Sequence, residues 1–514
     1  MRGPKQRIDF YEFGTTLLED MLCLKKPPLS ADAFHQLHYL EDYLKDHDQR
    51  CLAAVIERHY IDRDYMEDHS VFYSRNLSDY TNACKRVHFF SIAHRSVKRK
   101  LRELIRLGKK RGLEKYREAC AKFSKDYYLG FAVIKPLMGC PVGRTVLKQY
   151  EDFAGKGFRR EFQCTREYKT HLAGVELTVR GLAFQQQDVG VSACATTALW
   201  AALQKVREAE DLGAATPAQI TRLASQYTLP FGRSMPSEGL SIDQMCQAVQ
   251  SLGISPNLLR VTNYSTARGY LYSACKSGFA QVLILERPTA PDEAHAVTVA
   301  GMKVGAAIQS VVQDVLSDRA SELKAVYVHD DRIGPYLRAD LIRRGAQKLV
   351  LDVGYGFGAN RVSEPWALTH ILIPMHGKIR LSFDELRLVA TDHLAKTIEA
   401  VRIKATGNQI KNPLFSFETM ILRSHTYLEQ LFFNDSDLSS KNLEEVRSGL
   451  CLSRYVGVVR FSSLYFGGLD VLIDTTSTPR NINYLKIIAT HGKSDYTRFL
   501  VEKLRELYDC SYIL

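Results

Sequence analysis

A thiol attacks a carbonyl as its thiolate and needs a base beside it to lose its proton, so a cysteine, a histidine and an orienting carboxylate together make a nucleophilic centre. Three stretches of this 514-residue chain place those residue types in settings that suit the chemistry. The first is Gln187-Asp188-Val189-Gly190-Val191-Ser192-Ala193-Cys194-Ala195-Thr196-Thr197. Gly190 and Ser192 break the chain, and Ser192 is a good helix cap. Helical spacing then begins with Ala198, Leu199, Ala202 and Leu203. Cys194 is therefore predicted in the first turn of a helix, where the dipole and free backbone amides favour the thiolate. Most cysteines are small buried hydrophobes, so position alone does not make this one catalytic. The second stretch, Glu293 to Gly301, reads as a strand with His295 at its start. The third, Val326-Tyr327-Val328-His329-Asp330-Asp331, reads as a strand ending in carboxylates.

The elements between these stretches carry clear boundary signals. Thr216-Pro217-Ala218-Gln219 is a capped helix start with proline at the first helical position. Ser241 and Gln244 open another helix, with Ile242, Met245, Val249 and Leu252 on one face and Gly253 at its end. A helix around Leu271–Cys275 runs to Gly278, and Gln281–Leu285 follows as a strand.

The series resembles papain-like cysteine peptidases, in particular the bacteriocin-leader-processing branch and its relatives. Those have a glutamine shortly before a helix-opening cysteine, then a strand of the form His-x-Val-x-Val-x-Gly, then a strand ending in aspartate. His295-Ala296-Val297-Thr298-Val299-Ala300-Gly301 fits the second pattern at every fixed position, and Val326-Tyr327-Val328-His329-Asp330 fits the third. The resemblance covers about residues 182–335. It implies that Cys194 attacks a carbonyl and that His295 takes the thiol proton and later gives one to the leaving amine. Asp330 would orient the imidazole, and Gln187 with the Cys194 amide would bind the oxyanion. The family commonly has that glutamine six residues before the cysteine, which here is Asp188, and glycine directly after the cysteine, which here is Ala195. Asp331 is the alternative to Asp330; neighbouring strand positions face opposite sides, so one of the two is expected to serve.

The surrounding chain is long enough for about three domains. Residues 1–126 read as a helical, basic region, in which Ser30 caps a helix through Phe34, Leu37, Leu40 and Tyr43. His35 and His38 on that helix lack a third metal ligand. Residues 127–340 read as the peptidase core, beginning with β-like runs at Leu129–Leu137 and Val175–Val179. Val311, Val312 and Val315 suggest a helix inserted between the His and Asp strands. Residues 341–514 read as an α/β domain, with strands at Leu349–Val353, Ile371–Pro374, Val456–Phe461, Asp470–Ile473 and Leu485–Ala489. Helices are expected from Ser382 and Glu385 towards Val401, and from Ser494 to about Leu507. Gly354, Gly356 and Gly358 lead towards Pro365 rather than into a helix, so they read as a turn and not as a phosphate loop. The fold class expected is α+β: a papain-like core between a helical N-terminal region and an α/β C-terminal domain.

Hydrophobic content is 45 % and charged content 25 %, ordinary for a folded chain. The 11 cysteines are odd in number, scattered, and without CxxC or zinc spacing. No metal or cofactor is expected. No apolar run has the ~20 residues of a membrane span, and none at the N-terminus acts as a signal peptide, so the expectation is a cytoplasmic protein without membrane contact. The net charge of +12 is matched by the local excess between Lys85 and Lys125. That segment reads either as a solvated basic helix or as a surface for a polyanion. The function expected is an intracellular cysteine peptidase acting on a peptide or isopeptide bond of a protein or peptide substrate. The alternatives are an acyltransferase using the same triad, an inactive peptidase-like scaffold, and a polyanion-binding protein.

Overall fold

The computed structural model describes residues 8–14, 18–22, 30–46, 48–77, 79–151, 154–155, 157–188, 190–226, 235, 239–305, 316–344, 348–354, 362–394, 415–433, 452–463, 467–476, 483–491, 501–506 and 511–513. Helices and strands are mixed throughout, as an α+β fold requires.

The N-terminal region is a sheet with helices between its strands. Strands β1 (Ile8–Glu12), β2 (Ala53–Tyr60), β3 (Cys84–Phe90), β4 (Tyr128–Ile134) and β5 (Val142–Leu147) form a five-stranded antiparallel sheet in sequence order. Helices α1 (Leu18–Leu22) and α2 (Ala31–Lys45) precede β2, α3 (Arg63–Val71) precedes β3, and α4 (His94–Arg111) and α5 (Leu113–Tyr127) precede β4. The expectation of a helical region 1–126 is corrected accordingly, and a boundary at 126/127 would cut β3 from its partner β4. The run at Leu129–Leu137 matches β4, but β2 and β3 escaped notice because most of each is buried. A strand covered on both faces loses the polar-apolar alternation that marks a half-buried one. Ser30 does cap α2, accepting from the Ala33 amide at 3.2 Å.

The central unit begins with β6 (Ala154–Gly155), β7 (Phe158–Glu161) and the hairpin β8 (Arg166–Leu172) with β9 (Val175–Gly181). Helices α6 (Cys194–Ala209), α7 (Pro217–Ala224), α8 (Ile242–Ser251) and α9 (Tyr264–Ser277) follow. Thr216 and Ser241 each make the full capping box the sequence promised, and Gly278 ends α9 at φ 76°, a left-handed position that suits glycine. The strands are β10 (Ser255–Arg260), β11 (Val282–Arg287), β12 (Ala290–Gly305), β13 (Leu316–Asp318), β14 (Leu323–Asp330), β15 (Gly334–Arg344), β16 (Lys348–Val353) and β17 (Pro365–Met375). Apart from β13 these join β6 and β7 in a nine-stranded sheet. Because β11 pairs with both β12 and β17, the strands β11, β12, β14, β15, β16 and β17 close into a ring, antiparallel at every step. The expected boundary at 340 falls inside β15, and the ring needs β16 and β17, so this unit extends to Met375.

The C-terminal sheet has six strands in the order β13, β18 (Phe415–Arg423), β19 (Tyr455–Ser463), β20 (Gly467–Asp474), β21 (Tyr484–His491) and β22 (Ser511–Ile513). Its inner pairings are antiparallel and only the two edge pairs are parallel, so the expected α/β layout is corrected to α+β. Helix α10 (Phe383–Leu388) has the Ser382–Glu385 capping box, and α11 (Ser424–Phe433) follows β18. The expected helix around Val311, the glycines Gly356 and Gly358, the reach of α10 towards Val401 and the start of a helix at Ser494 lie outside the described residues. Among the described residues no helix is long and apolar enough to cross a membrane.

Candidate active site

Helix α6 opens at Cys194 itself. Its cap residue is Ala193, extended at φ −67° and ψ 168°, and no side chain caps it. Ser192, the expected cap, lies one residue too early, and its buried hydroxyl has no hydrogen-bond partner among the described residues. The first turn holds no acid, and the first backbone bond back to Ala193 O comes from Thr197 N, at 3.0 Å. The amides of Cys194, Ala195 and Thr196 therefore sit ahead of the helical ladder, at the positive end of the dipole.

Asp188 shapes the loop that delivers the cysteine. Its Oδ1 accepts from the amides of Gly190, Val191 and Ser192 at 2.9, 2.7 and 3.1 Å. Its Oδ2 lies 3.4 Å from Nζ of Lys135, the residue just after β4. Burial raises its carboxyl, but the Lys135 charge and the three amides outweigh that and hold it below the usual carboxylate range. A carboxylate so occupied accepts hydrogen bonds and cannot donate to an oxyanion. Gln187, one residue earlier, is exposed and makes no side-chain hydrogen bond among the described residues, so the structure does not join it to Cys194.

Strand pairing brings the other two residues together. Thr298 on β12 faces His329 on β14, which sets His295 beside the turn that follows Asp330; β12 begins at Ala290, so His295 lies inside the strand rather than at its start as expected. His295 Nε2 lies 3.0 Å from Asp330 Oδ1. Cys194 acts on the same imidazole, as one of the groups that raise its pKa. With Nε2 on the carboxylate, Nδ1 is the ring nitrogen left for the thiol. Burial disfavours the imidazolium, yet the Asp330 charge, its hydrogen bond, Cys194 and the Asp331 charge together raise His295 to about 10. Asp330 moves the other way: burial raises it, and the charges and hydrogen bonds of His295 and Arg332 pull it well below its ordinary value.

Asp331 does not face away, contrary to the alternation expected of strand residues. Its Oδ1 is 3.7 Å from His295 Nε2. Strand β14 ends at Asp330, and Asp331 begins a turn, where successive side chains no longer alternate. Both its oxygens are buried without a hydrogen-bond partner among the described residues. They face a recess shared with Gln185, Thr197, Thr298 and His329. Burial raises this carboxyl to about 7, against the pull of His295.

Three residues of the site were not singled out from the sequence. Arg332 donates to Asp330 from its backbone amide (3.0 Å), Nε (3.2 Å) and terminal nitrogen (2.9 Å). Its Nε also lies 3.2 Å from His295 Nε2. A protonated Nε2 has no lone pair to offer, so that guanidinium hydrogen belongs to Asp330. Glu364 holds Arg332 from the far side at 3.3 Å. Trp366 roofs the group: its ring is 5.7 Å from the His295 ring and 5.1 Å from the Arg332 guanidinium. The usable signal was rarity, since the chain has 2 tryptophans, and Trp200 of α6 is the other. The buttress is equally invisible in sequence. Gln36 Nε2 donates to Asp331 O at 2.6 Å and Tyr39 to Pro335 O at 2.7 Å, both from α2. A Cβ at Gly334 would collide with the Tyr39 ring.

One ligand atom from each of His295, Asp330 and Asp331 falls within 4.8 Å of the others, a grouping that metals also use. The Arg332 guanidinium already occupies the Asp330 carboxylate, and a metal cation would have to displace it, so the donor set suits an imidazolium better. His35 and His38 on α2 are not part of any such group among the described residues. The structure thus joins His295 to Asp330, sets Asp331, Arg332 and Trp366 around them, opens helix α6 at Cys194, and does not join Gln187 to the group. No family model matches the chain, and no curated protein matches it either.

Proposed function

We propose that this chain is a cysteine peptidase cutting a peptide or isopeptide bond through an acyl-enzyme on Cys194. The observation that carries the reading is the His295–Asp330 hydrogen bond at a buried carboxylate, with Cys194, at an uncapped helix start, among the groups that act on that imidazole. The closed antiparallel sheet packed on the cysteine-bearing helix supports a papain-like core for residues up to Met375. In this reading the thiol proton rests on His295, giving a thiolate–imidazolium pair that the helix dipole and Asp330 stabilise from its two ends. Sulfur attacks the substrate carbonyl carbon, and the oxyanion forms beside the Cys194 amide. Gln187, exposed in the loop before α6, is the second donor the resemblance implies. The tetrahedral species expels the amine, which takes the His295 proton and leaves a thioester. Water then attacks the thioester, giving its proton to His295 and releasing the acid.

The test is limiting alkylation with an iodoacetamide-type probe, mapped by mass spectrometry, beside turnover of a peptide library by the wild type and Cys194→Ala. Preferential labelling of Cys194, with cleavage lost in the variant, is expected. Labelling of Cys194 no faster than that of buried Cys84 or Cys140, or cleavage that survives Cys194→Ala, overturns the reading.

A further inference from the structure

We propose that the outer face of helix α4 binds the phosphate backbone of a nucleic acid, a property independent of the peptidase reading. Arg95, Arg99, Arg102, Arg106 and Lys109 are exposed and recur every three or four residues. That spacing puts them in one stripe about 21 Å long. Among the described residues only Arg99 of this stripe has an ion-pair partner, Glu103, at 3.8 Å with both side chains largely exposed. Lys98 and Lys100 lean to the flanks, over the rings of Phe10 and Tyr127 at 5.7 and 4.9 Å.

The helix is built against its own electrostatics. Its first turn has no acid and its cap, Ala93, makes no side-chain hydrogen bond. Arg95 and Lys98 therefore stand at the positive end of the dipole, where cations are disfavoured. Like charges at three- and four-residue spacing repel as well. A local rule broken this consistently along one helix marks a functional surface rather than a folding device. An array of anions laid along the stripe removes both conflicts together.

A bilayer is the poorer complement. A helix that lies in a membrane surface inserts its apolar face. Here Val97, Leu101 and Leu104 are 0 %, 5 % and 8 % exposed, committed to the core, and Ile105 is the apolar side chain left in the stripe. What faces outward is a row of guanidinium groups, which hydrogen-bond phosphate oxygens in a planar fork.

The full-length protein is titrated by fluorescence anisotropy against labelled single strands and duplexes of RNA and of DNA. Phosphatidylserine vesicles are titrated in parallel. Five phosphate contacts give a salt slope of about −4.5 on a duplex, hence about a 500-fold loss of affinity for a fourfold rise in salt. Replacing Arg95, Arg99, Arg102 and Arg106 by Gln should reduce that slope to about −1 and leave the far-ultraviolet circular dichroism unchanged. Should that variant misfold, Arg99→Gln with Arg106→Gln alone should still lower the slope by about 2. The proposal is overturned if no oligonucleotide binds at low salt, if the slope survives the folded variants, or if only the vesicles bind.

Discussion

Two regions of this protein gather charge, and they treat it in opposite ways. Around β14 the ion pairs are buried: Asp330 meets His295 and Arg332, and Arg332 meets Glu364. Along α4 the charges are exposed and, among the described residues, largely unanswered. A buried ion left alone costs several kcal/mol, so a folded core cannot hold one without a partner. An exposed cation is solvated and screened, so a row of them survives until something anionic arrives. Chemistry is thus expected where the charges are paired, and binding where they are not.

The largest effect is expected from breaking the buried side. His295→Ala should lower turnover by about 10³-fold or more while the protein stays folded, because Arg332 still answers Asp330. Steady-state kinetics with circular dichroism checks this, and an unfolded variant would make the histidine structural. Asp330→Asn should follow, with about a 10²- to 10⁴-fold loss, since the amide no longer holds one imidazole tautomer. Asp331→Asn should keep turnover within about tenfold of the wild type. The reverse ranking on one substrate would move the orienting role to Asp331.

Stability against pH separates the two carboxylates further. Asp331 is raised by burial to about 7. It is protonated in the folded chain and ionised in the unfolded one between about pH 4 and 7, so its contribution falls as pH rises through that window. His295, raised to about 10, contributes fully below about pH 6.5 and fades as pH climbs towards 10. Thermal melts from pH 5 to 8 should therefore show a loss of stability that Asp331→Asn flattens. An unchanged slope in that variant would mean the carboxyl is ionised throughout. The smallest effect is expected on α4. Arg95→Glu places an acid in an acid-free first turn and should raise stability by about 0.5 kcal/mol, read from a urea midpoint. A fall of that size would mean that Arg95 has a partner within the chain.

The candidate residues Cys194, His295 and Asp330 were legible from the chain because local signals carried them. A helix start and a strand end are set by neighbours within a few residues, and capping boxes at Thr216, Ser241 and Ser382 appeared where the spacing placed them. Strands β2 and β3 of the N-terminal sheet were not legible, since burial on both faces erases period two. Nor was the cap at Ala193 or the turn at Asp331, where a shift of one residue changes the direction of a side chain. Tertiary structure alone decided the rest. It closed β11 onto β17 and carried the ring past residue 340. It set Arg332 and Trp366 against His295 and used α2, nearly three hundred residues earlier in the chain, to brace the Asp331 turn. Such contacts depend on long-range pairing and on the cost of leaving a buried charge unanswered, and neither leaves a periodic mark on the sequence.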